Sequence, residues 1–424
     1  MPFSAPLLAR AITLAVGVAC AQLAQASVPF QFDLDLPYDH WFYEPVAQAE
    51  PFDNYLSRQA STRNGKQAAL ALDPALRRRL QSGELTSEQI KALEKLSDGI
   101  ARQPGGFGAV LEQLAGSQNA NLAAATQNAT EQIGHQLLST LRTLPSDDDG
   151  RVWVQGLGND GSLDKQGASA GLKYATQGVL LGADWALDPA WRVGVMGAKS
   201  TSRLDAKRFA AELDSWHLGG YAVRQDGPLA LRLGAIYSSH GGQTKRGVQA
   251  FSYKDSLKGS YDATRQTLFS ELAYQLGSAD LSVEPFVGLG YQRYHRDSFK
   301  EKGGLSALNV GAQTQQNLSS TFGLRLATVY RFDNRMSLTP HVSTGWKHLY
   351  GDVGSEVRQS FSQAALRTGD FTINGTALDR NSLNLHAGLD LALSTEHSLG
   401  LAYTAEKGSH SSSHGLTGQW QMQF

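Results

Sequence analysis

The sequence predicts an all-β membrane protein: a 12-stranded antiparallel outer-membrane β-barrel with an N-terminal linker α-helix through the pore. Three observations predict it. Apolar and polar residues alternate along the C-terminal two-thirds of the 424 residues, with the period of a half-buried strand. An even number of such segments is joined by alternating short and long connections. A slim and nearly neutral helical segment precedes the first strand.

The composition excludes two other classes of protein. Lys and Arg number 38 and Asp and Glu 39, so the chain has no bulk positive field for binding nucleic acid. Beyond the N-terminus, no apolar run approaches the roughly 18 residues of a membrane-spanning helix. The composition does not exclude a membrane protein built from strands, because polar residues alternate with the apolar residues along each strand and no long apolar run results.

Residues 1–26 are predicted to be a signal peptide. Arg10 supplies a thin positive region, the stretch 11–24 is apolar, and 24–26 has the A-x-A form of a cleavage site. An N-terminal membrane anchor is the alternative, for which the stretch is short. Cleavage before Ser27 would remove Cys20, the single cysteine. The remaining chain would then have no disulfide or Cys-ligated metal, as suits passage through an oxidising periplasm.

Residues 27–105 form a short N-terminal segment that is predicted to be partly helical. Residues 27–66 include an aromatic and acidic stretch, and 67–100 have helical character. Thr86 is expected to cap a helix that begins at residue 87. Ile90, Leu93 and Leu96 would form its apolar face.

Residues 106–150 are assigned to a linker helix, with helical character over 108–144. Ile133, Leu137, Leu141 and Leu144 form a stripe at helical spacing. Glu131 carries the single formal charge between residues 112 and 142. Residues 119–144 would span about 39 Å at 1.5 Å per residue, enough to cross a hydrocarbon layer of about 30 Å. This neutral helix fits a narrow polar pore; packing outside the barrel or in the periplasm is the alternative.

Residues 151–424 are predicted to form the barrel. Strand 212–224 is the least regular, because its apolar residues do not share one parity. Strands longer than the roughly 9–11 residues that span a membrane are expected to project beyond it. The twelve predicted strands are 151–158, 177–187, 191–202, 212–224, 229–241, 261–276, 280–294, 315–332, 335–350, 382–393, 398–405 and 414–424.

The connections predict how the barrel is oriented. Short turns join alternate pairs of strands, and the remaining pairs are separated by longer connections. Since short turns face the periplasm in outer-membrane barrels, both ends of the barrel chain should lie in the periplasm and six long loops outside. The predicted long loops are 159–176, 203–211, 242–260, 295–314, 351–381 and 406–413.

Several charged residues fall on the polar face of the predicted strands. We expect them to hydrate the lumen and to form hydrogen bonds with the linker helix rather than to act in catalysis. These candidate pore-lining residues are Asp184, Arg192, Arg232, Glu271, Glu284, Arg325, Arg331 and Asp390.

Four possible chemical motifs are weaker than the barrel pattern. Residues 156–161 match a dinucleotide fingerprint, but a polar loop follows where a helix is needed. Residues 167–171 match a nucleophile elbow, but they precede a predicted strand. His410 and His414 lie in a predicted surface loop, and the acidic residues of 33–44 have no visible scaffold for a cation. The sequence therefore predicts no catalytic, cofactor-binding or metal-binding residues, and no enzyme.

The chain resembles the autotransporters, the type V secreted proteins of Gram-negative bacteria. The resemblance covers about residues 85–424 and depends on the order and spacing of its segments. These are Leu85-Thr86-Ser87-Glu88-Gln89, Leu111-Glu112-Gln113-Leu114-Ala115-Gly116, Arg151-Val152-Trp153-Val154-Gln155-Gly156, Gly178-Val179-Leu180-Leu181-Gly182-Ala183-Asp184, Trp191-Arg192-Val193-Gly194-Val195, Glu284-Pro285-Phe286 and Trp420-Gln421-Met422-Gln423-Phe424.

The resemblance implies a translocator that inserts as a barrel and displays its own N-terminal passenger at the cell surface. It implies that Trp420, Met422 and Phe424 form the signal read by the outer-membrane assembly machinery. The expected partners are outer-membrane lipid, that machinery, periplasmic chaperones and the chain's own passenger. We expect the protein to bind neither nucleic acid nor a cofactor, and we expect it to be a monomer.

The chain departs from the family in its passenger. Residues 27 to about 100 are too few for the stacked coils of a β-helix, and no Gly-Asp-Ser-Leu block of a lipase-type passenger precedes the barrel. Some members cut themselves at an Asn pair in the pore, whereas here Asn119 and Asn121 are separated by Ala120.

Two other functions compete with export. In the first, the protein is a channel or loop-presenting adhesin whose N-terminal helix plugs the pore. In the second, it is an outer-membrane enzyme, for which the sequence offers no catalytic group at a defined rim.

Overall fold

A computed structural model describes residues 55–142, 150–166, 169–278, 280–333 and 336–424. The signal peptide, the acidic stretch 33–44 and Leu144 lie outside these residues. None of the described helices combines the length and the apolar character needed to cross a membrane. The described helices are α1 (Tyr55–Gln59), α2 (Arg63–Ser82), α3 (Ser87–Ala101), α4 (Gly106–Ala115) and α5 (Gln118–Arg142).

The strands follow helix α5 in the chain. They are β1 (Gly150–Leu163), β2 (Leu172–Ala186), β3 (Trp191–Ala206), β4 (Phe209–Asp226), β5 (Leu229–Ala250), β6 (Tyr253–Tyr274), β7 (Leu276–Gly277), β8 (Leu281–Arg296), β9 (Phe299–Lys300), β10 (Leu308–Val310), β11 (Gln313–Thr328), β12 (Tyr330–Arg331), β13 (Ser337–Gly351), β14 (Glu356–Phe361), β15 (Phe371–Asn374), β16 (Asn381–Ala392), β17 (His397–Gly408) and β18 (Ser411–Gln423).

Twelve of these strands form a closed antiparallel barrel, which confirms the predicted fold class. They are β1–β6, β8, β11, β13 and β16–β18, each paired with its neighbours in that order. The first strand pairs with the last from Arg151↔Gln423 to Leu163↔Ser411, and the ring closes. Closure leaves no open edge, as a backbone in lipid requires.

The outer face of the barrel carries the apolar residues expected of a lipid-facing surface. Leu218, Leu289 and Leu181 leave 69%, 62% and 58% of their surface exposed. Trp216 and Tyr237 lie on the same face, towards the end of the barrel that carries the long connections. We call this the loop end; the opposite end, where Gly150 pairs with Phe424, is the turn end.

The environment of strand β4 explains why its apolar residues do not share one parity. Trp216 and Leu218 point outward and are 63% and 69% exposed. Tyr221 and Val223 point inward and are buried against residues of α5. Both faces of the strand are therefore apolar, because one contacts lipid and the other contacts the helix inside the barrel.

Three of the six predicted long loops are extensions of the strands. The connections reduce to residues 207–208 between β3 and β4, 251–252 between β5 and β6, and 409–410 between β17 and β18. Arg208 and Phe251 adopt positive φ values of 60° and 47° in two of these turns. The polar residues of the predicted loops continue the backbone pairing outside the membrane, so polarity alone does not distinguish a loop from a projecting strand.

Within the described strands, six Phe, Tyr or Trp rings lie over glycines of the neighbouring strand. Each pair is directly opposite in register, and a Cβ atom on the glycine would overlap the ring. An aromatic ring that covers a cross-strand glycine is a device that fixes strand register. The pairs are Trp153 with Gly182, Tyr174 with Gly161, Tyr221 with Gly194, Tyr261 with Gly242, Phe269 with Gly234 and Phe286 with Gly323.

Helices α1–α4, which we call the outer helical layer (residues 55–115), lie at the loop end of the barrel. Gly99 of α3 approaches the backbone of Ala250 so closely that a side chain would overlap it. The backbone N–H of Phe251 donates to Gln103 Oε1 over 2.9 Å. The layer therefore rests on the turn between β5 and β6.

Local sequence signals set the ends of the helices. Thr86 caps α3 in a reciprocal capping box with Gln89, which confirms its predicted role. The helix predicted over 108–144 is divided in two, because Gly116 ends α4 at a φ of 61°. A Cβ atom at Gly116 would also lie 2.7 Å from Leu308 Cδ1, so glycine is needed at this bend.

We expect Gly182→Ala to destabilise the barrel by about 1–3 kcal/mol, because the added methyl displaces the ring of Trp153. The measurement is the midpoint of thermal unfolding of the purified protein in detergent. The matched control is Gly156→Ala, since a Cβ atom at Gly156 meets open space. Equal midpoints for the two variants would contradict the packing role of the ring.

Candidate functional site: a helix inside the barrel

Helix α5 lies within the barrel and presents an apolar stripe to one part of its wall. Ile133, Leu137 and Leu141 are at most 2% exposed. They pack with inward residues of β1–β5, among them Trp153 and Met196. The indole N–H of Trp153 donates to the Tyr221 hydroxyl over 2.9 Å, so this apolar contact contains no unpaired indole.

The remaining faces of α5 form hydrogen bonds with polar residues of the wall. Gln127 donates to Gln315 over 2.6 Å and Gln132 donates to Thr404 over 2.8 Å. The Arg265 guanidinium of β6 donates to the Thr130 hydroxyl over 2.7 Å and to the carbonyl of Gln127 over 3.0 Å. Because buried polar groups need such partners, the helix is held in one rotation about its axis.

The N-terminal end of α5 is bound at the loop end of the barrel. The side-chain oxygen of Asn121 accepts from the Ser169 hydroxyl over 2.9 Å and from the Thr376 backbone N–H over 2.6 Å. Asn119 donates to Glu301 and Gln359 over 3.4 Å each. The two asparagines noted in the sequence are thus fully buried contacts between the helix and the loops.

The glutamate cluster, which we define as Glu271, Glu284, Arg142, Arg232 and Arg325, joins the helix to the wall near the turn end. Arg142 of α5 lies 2.5 Å from Glu271, which also contacts Arg232 at 2.9 Å and Arg325 at 3.3 Å. Glu284 pairs with Arg232 at 3.2 Å and with Arg325. Four of the predicted pore-lining residues therefore meet around one helix arginine that the sequence analysis did not select.

A second charged group lies on the wall between β1, β2 and β3. The carboxylate of Asp184 contacts Arg151 at 2.8 Å and Arg192 at 2.7 Å, and it accepts from the Tyr221 hydroxyl over 2.8 Å. Arg151 also donates to the carbonyl of Thr140 in α5 over 3.5 Å. Two further predicted residues thus bind each other, with one of their partners touching the helix.

Lys347 of β13 connects the helix to two strands of the wall. Its ammonium group lies 2.7 Å from Glu131 of α5 and 2.6 Å from Glu406 of β17. The ligand atoms of Glu131, His135 and Glu406 lie within 4.8 Å of one another, a spacing compatible with a metal ion. The ammonium group of Lys347 pairs with both carboxylates and so joins α5 to β17.

The two remaining predicted pore-lining residues, Asp390 and Arg331, differ in their environments. Asp390 lies 3.2 Å from His341, which stacks on His386 with ring centroids 5.2 Å apart. His386 in turn is 3.3 Å from the Ser139 hydroxyl of α5. Arg331 keeps the register parity of Arg325; its side chain is 60% exposed and pairs with Asp280 near the turn end.

Four basic residues at the helix were not predicted as pore-lining residues. Arg142 belongs to α5, and the other three, Arg151, Arg265 and Lys347, contact it. Lys347 follows the outward-facing Trp346 and so falls on the inner face by alternation. The alternation along this strand is therefore a sequence signal that identifies Lys347 as inward-facing. Arg142 and Arg151 lie at the ends of the helix and of the first strand, where alternation gives no information.

The predicted assembly signal lies on the last strand. Trp420 and Phe424 are 38% and 60% exposed, and Trp420 and Met422 pair in register with Val154 and Val152. The backbones of Phe424 and Gly150 exchange two hydrogen bonds of 3.0 Å. These contacts close the barrel; the role of the residues as a recognition signal stays a prediction.

The weaker motifs also have defined positions. Residues 156–161 all belong to strand β1, so no helix follows the third glycine as a dinucleotide site requires. Ser169 is buried and donates to Asn121. His410 lies 3.3 Å from Asp379 and His414 lies 2.7 Å from Asp160.

Glu112 connects the outer helical layer to the start of α5. The Ser117 hydroxyl donates to it over 2.5 Å and the Thr62 hydroxyl donates to its other oxygen. Burial raises the pKa of Glu112 above its usual range, although these two hydrogen bonds oppose the effect. The layer thus contains a carboxyl group that is less easily ionised in the docked state.

Beside the helix, the lumen retains a cavity of about 200 Å³. Glu131, His135, Arg265 and Glu271 are among the residues that line it. The lumen is therefore filled mainly by the chain itself, with the residual space bordered by charged groups.

The comparisons with known proteins identify the class to which this barrel belongs. The autotransporter beta-domain family matches residues 152–404, more than half of the chain. The chain belongs to that family and is an outer-membrane β-barrel translocator domain of a Gram-negative bacterium.

Individual relatives share parts of this chain. Two curated proteins named extracellular serine protease, from Serratia marcescens, are each 30% identical to it over 308 residues. That region is 70% of this chain, and the chain spans 29% of the length of each relative. The structure of the translocator domain of the autotransporter NalP from Neisseria meningitidis is 15% identical, with a TM-score of 0.59. It covers 72% of this chain and 99% of its own, and it supports the fold.

We expect Glu271→Gln to loosen helix α5, because the substitution leaves three arginines without their shared carboxylate. Breaking a buried ion pair costs about 3–5 kcal/mol. The measurement is the thermal unfolding midpoint together with amide hydrogen exchange of α5. The control is Asp280→Asn, which breaks an exposed pair with Arg331 worth about 0–1 kcal/mol. Unchanged exchange in α5 would contradict the role of the cluster.

We expect the docking of the outer helical layer to weaken as the pH rises through the raised pKa of Glu112. A carboxyl whose pKa is higher in the folded state contributes most below its ordinary pKa, and that contribution is lost as the group ionises. Hydrogen exchange of residues 55–115 between pH 4 and pH 8 measures the effect. Glu112→Gln should flatten this dependence, while Glu88→Gln at an exposed position should leave it intact.

Proposed function

We propose that the barrel exports the chain's own N-terminal segment and retains it, docked, at the cell surface. The observation that supports this is the path of the chain. Helix α5 traverses the barrel from the outer helical layer at the loop end towards Gly150 at the turn end. A polypeptide that begins outside and returns through its own pore is the expected product of export.

The orientation follows from the connections. The turns between β2 and β3, β4 and β5, and β16 and β17 lie at the turn end, which also carries Gly150 and Phe424. In outer-membrane barrels the long connections are extracellular, and the two longest here, 297–312 and 352–380, are at the loop end. The loop end, with its inserted strands β9, β10, β14 and β15, then faces the outside together with the outer helical layer.

Retention is supported by the contacts at both ends of α5. Lys347 and the glutamate cluster hold the membrane-embedded part through ion pairs with Glu131 and Arg142. At the loop end, the amide of Asn64 in α2 donates to the Asn374 carbonyl over 2.8 Å and its oxygen accepts from the Asn374 N–H over 2.9 Å. The layer is thus fixed to hairpin β14–β15 as well as to the turn of residues 251–252.

Within this function we propose that residues 1–26 are removed as a signal, that 27–105 are displayed, and that 106–150 and 151–424 form the linker and barrel. We further propose insertion by the assembly machinery through Trp420, Met422 and Phe424, delivery by periplasmic chaperones, and a monomeric barrel. The other predicted pore-lining residues are proposed to hold the helix, a structural role rather than a catalytic one.

Cysteine labelling of intact cells tests the proposal. In a Cys20→Ala background, we expect Glu84→Cys, exposed between α2 and α3, to react with a membrane-impermeant maleimide. Asp226→Cys, exposed at the turn end, is the matched control and should react only after the outer membrane is permeabilised. Protection of residue 84 in intact cells, with labelling of residue 226, would contradict both the orientation and the display.

A further inference from the structure

The outward face of the long strands above the lipid-facing surface carries a row of lysines. Lys245 of β5 is directly opposite Lys258 of β6 in register. Lys258 exchanges two backbone hydrogen bonds, of 2.9 and 2.8 Å, with Lys302. All three side chains are exposed. We call Lys245, Lys258 and Lys302 the lysine row.

Further cations surround the lysine row. Lys254 is four residues from Lys258 along β6, and Lys300 is two residues from Lys302. Arg208 of the β3–β4 turn accepts a backbone hydrogen bond from Gly247, beside Lys245. Like charges directly opposite each other destabilise a sheet, and nothing in the interior packing requires lysine on a face that points into solvent.

Two carboxylates that are adjacent in sequence to lysines of this surface point into the barrel. Glu301, adjacent to Lys302, points inward and pairs with Arg246 at 2.6 Å. Asp255, adjacent to Lys254, is buried and accepts from the Tyr253 hydroxyl over 2.6 Å. Among the described residues, no carboxylate oxygen lies within 4.0 Å of a nitrogen of the lysine row. Alternation therefore sends these two acids inward, while Glu212 of β4, opposite Gln243, and Asp262 of β6 are the outward carboxylates that border the lysine row.

We infer that this face binds an anionic polysaccharide that carries sulfate or phosphate groups. The row crosses three neighbouring chain segments about 4.8 Å apart, so it presents three positive charges within about 10 Å. Lysines are compact point charges with rotatable donors, which suits a chain of separate anionic groups more than one planar ligand.

The height of the row favours a polysaccharide over a lipid headgroup. Lys245 lies eight residues beyond the outward-facing Tyr237 along β5. At about 3.4 Å per residue and a tilt of about 45°, the row stands about 19 Å above the level of that ring. Lipid headgroups belong at the aromatic level, whereas a polysaccharide reaches beyond it.

The surface also lacks the stacking platform on which single-stranded nucleic acid is bound. Phe251, which is 55% exposed, is the exposed ring on the adjoining turn, and Arg102 of α3 covers it at 5.8 Å from the ring centroid. The outward residues next to Lys258 along β6, Ser256 and Ser260, are small and polar.

The test is a binding titration of the purified full chain in detergent micelles with fluorescein-labelled heparin, a sulfated polysaccharide, at low salt. We expect the triple variant Lys245→Gln, Lys258→Gln, Lys302→Gln to bind at least about tenfold more weakly, since each lysine near an anionic surface contributes several-fold. The wild-type affinity should fall as salt is added. Neutral dextran should not bind.

The matched control removes three exposed cations from the outer helical layer, through Lys66→Gln, Lys91→Gln and Lys95→Gln. Its affinity for heparin should stay within about twofold of the wild type, because long-range charge effects are screened. Equal losses in the two triple variants, or no loss in the first, would overturn the inference. Tighter binding of vesicles of an anionic phospholipid, or of a single-stranded DNA oligonucleotide, than of heparin would overturn it in favour of those ligands.

This inference rests on the proposed function in one respect only: the orientation of the barrel places the lysine row outside the cell. The titration uses protein in micelles, where both ends are accessible, so it fails or succeeds independently of the cysteine labelling. Unchanged thermal unfolding midpoints in both triple variants would show that a loss of binding does not come from misfolding.

Discussion

The closed ring of backbone hydrogen bonds is the constraint on which the rest of this structure depends. A bilayer offers no water to the peptide groups, so every N–H and C=O within it must find a partner in the protein. Here β1 pairs with β18 from residue 151 to residue 163, and the ring of twelve strands has no edge. Closure creates an interior, and that interior has to be filled.

Helix α5 fills it, and the wall is adapted to the helix. The strands that face Leu137 and Leu141 carry inward apolar residues such as Trp153 and Met196. Elsewhere the wall carries arginine, lysine and glutamate, which pair with each other and with the few charges of the helix. A nearly neutral helix gains little from a charged wall unless its own few charged residues complete the pairs, which Glu131 and Arg142 do. The glycines opposite aromatic rings serve the same end, because they let large side chains lie flat against the wall beside the helix.

The projecting strands extend this architecture beyond the membrane. β5 and β6 are 22 residues each, about twice the length needed to span a bilayer. Their inner face supports the outer helical layer, and their outer face carries the lysine row. One pair of strands therefore provides a transmembrane wall, a docking surface for the N-terminal helices and a cationic surface towards the outside.

The sequence by itself determined the barrel, its even strand count, the interior helix and the cap at Thr86, because alternation and helical periodicity are local patterns. It also selected some of the charged residues that meet inside the barrel, including Glu271, Asp184 and Arg325. Only the tertiary structure decided their partners, since Arg232 faces Glu271 through the register of β5 with β6, and Arg142 reaches it from the helix inside the barrel. It also decided that residues 242–260 continue two strands, that Arg331 pairs with Asp280 near the turn end, and that Lys245, Lys258 and Lys302 form one row. The physical reason is that cross-strand register is a property of the closed sheet, and a pattern read along one strand contains no information about its neighbour.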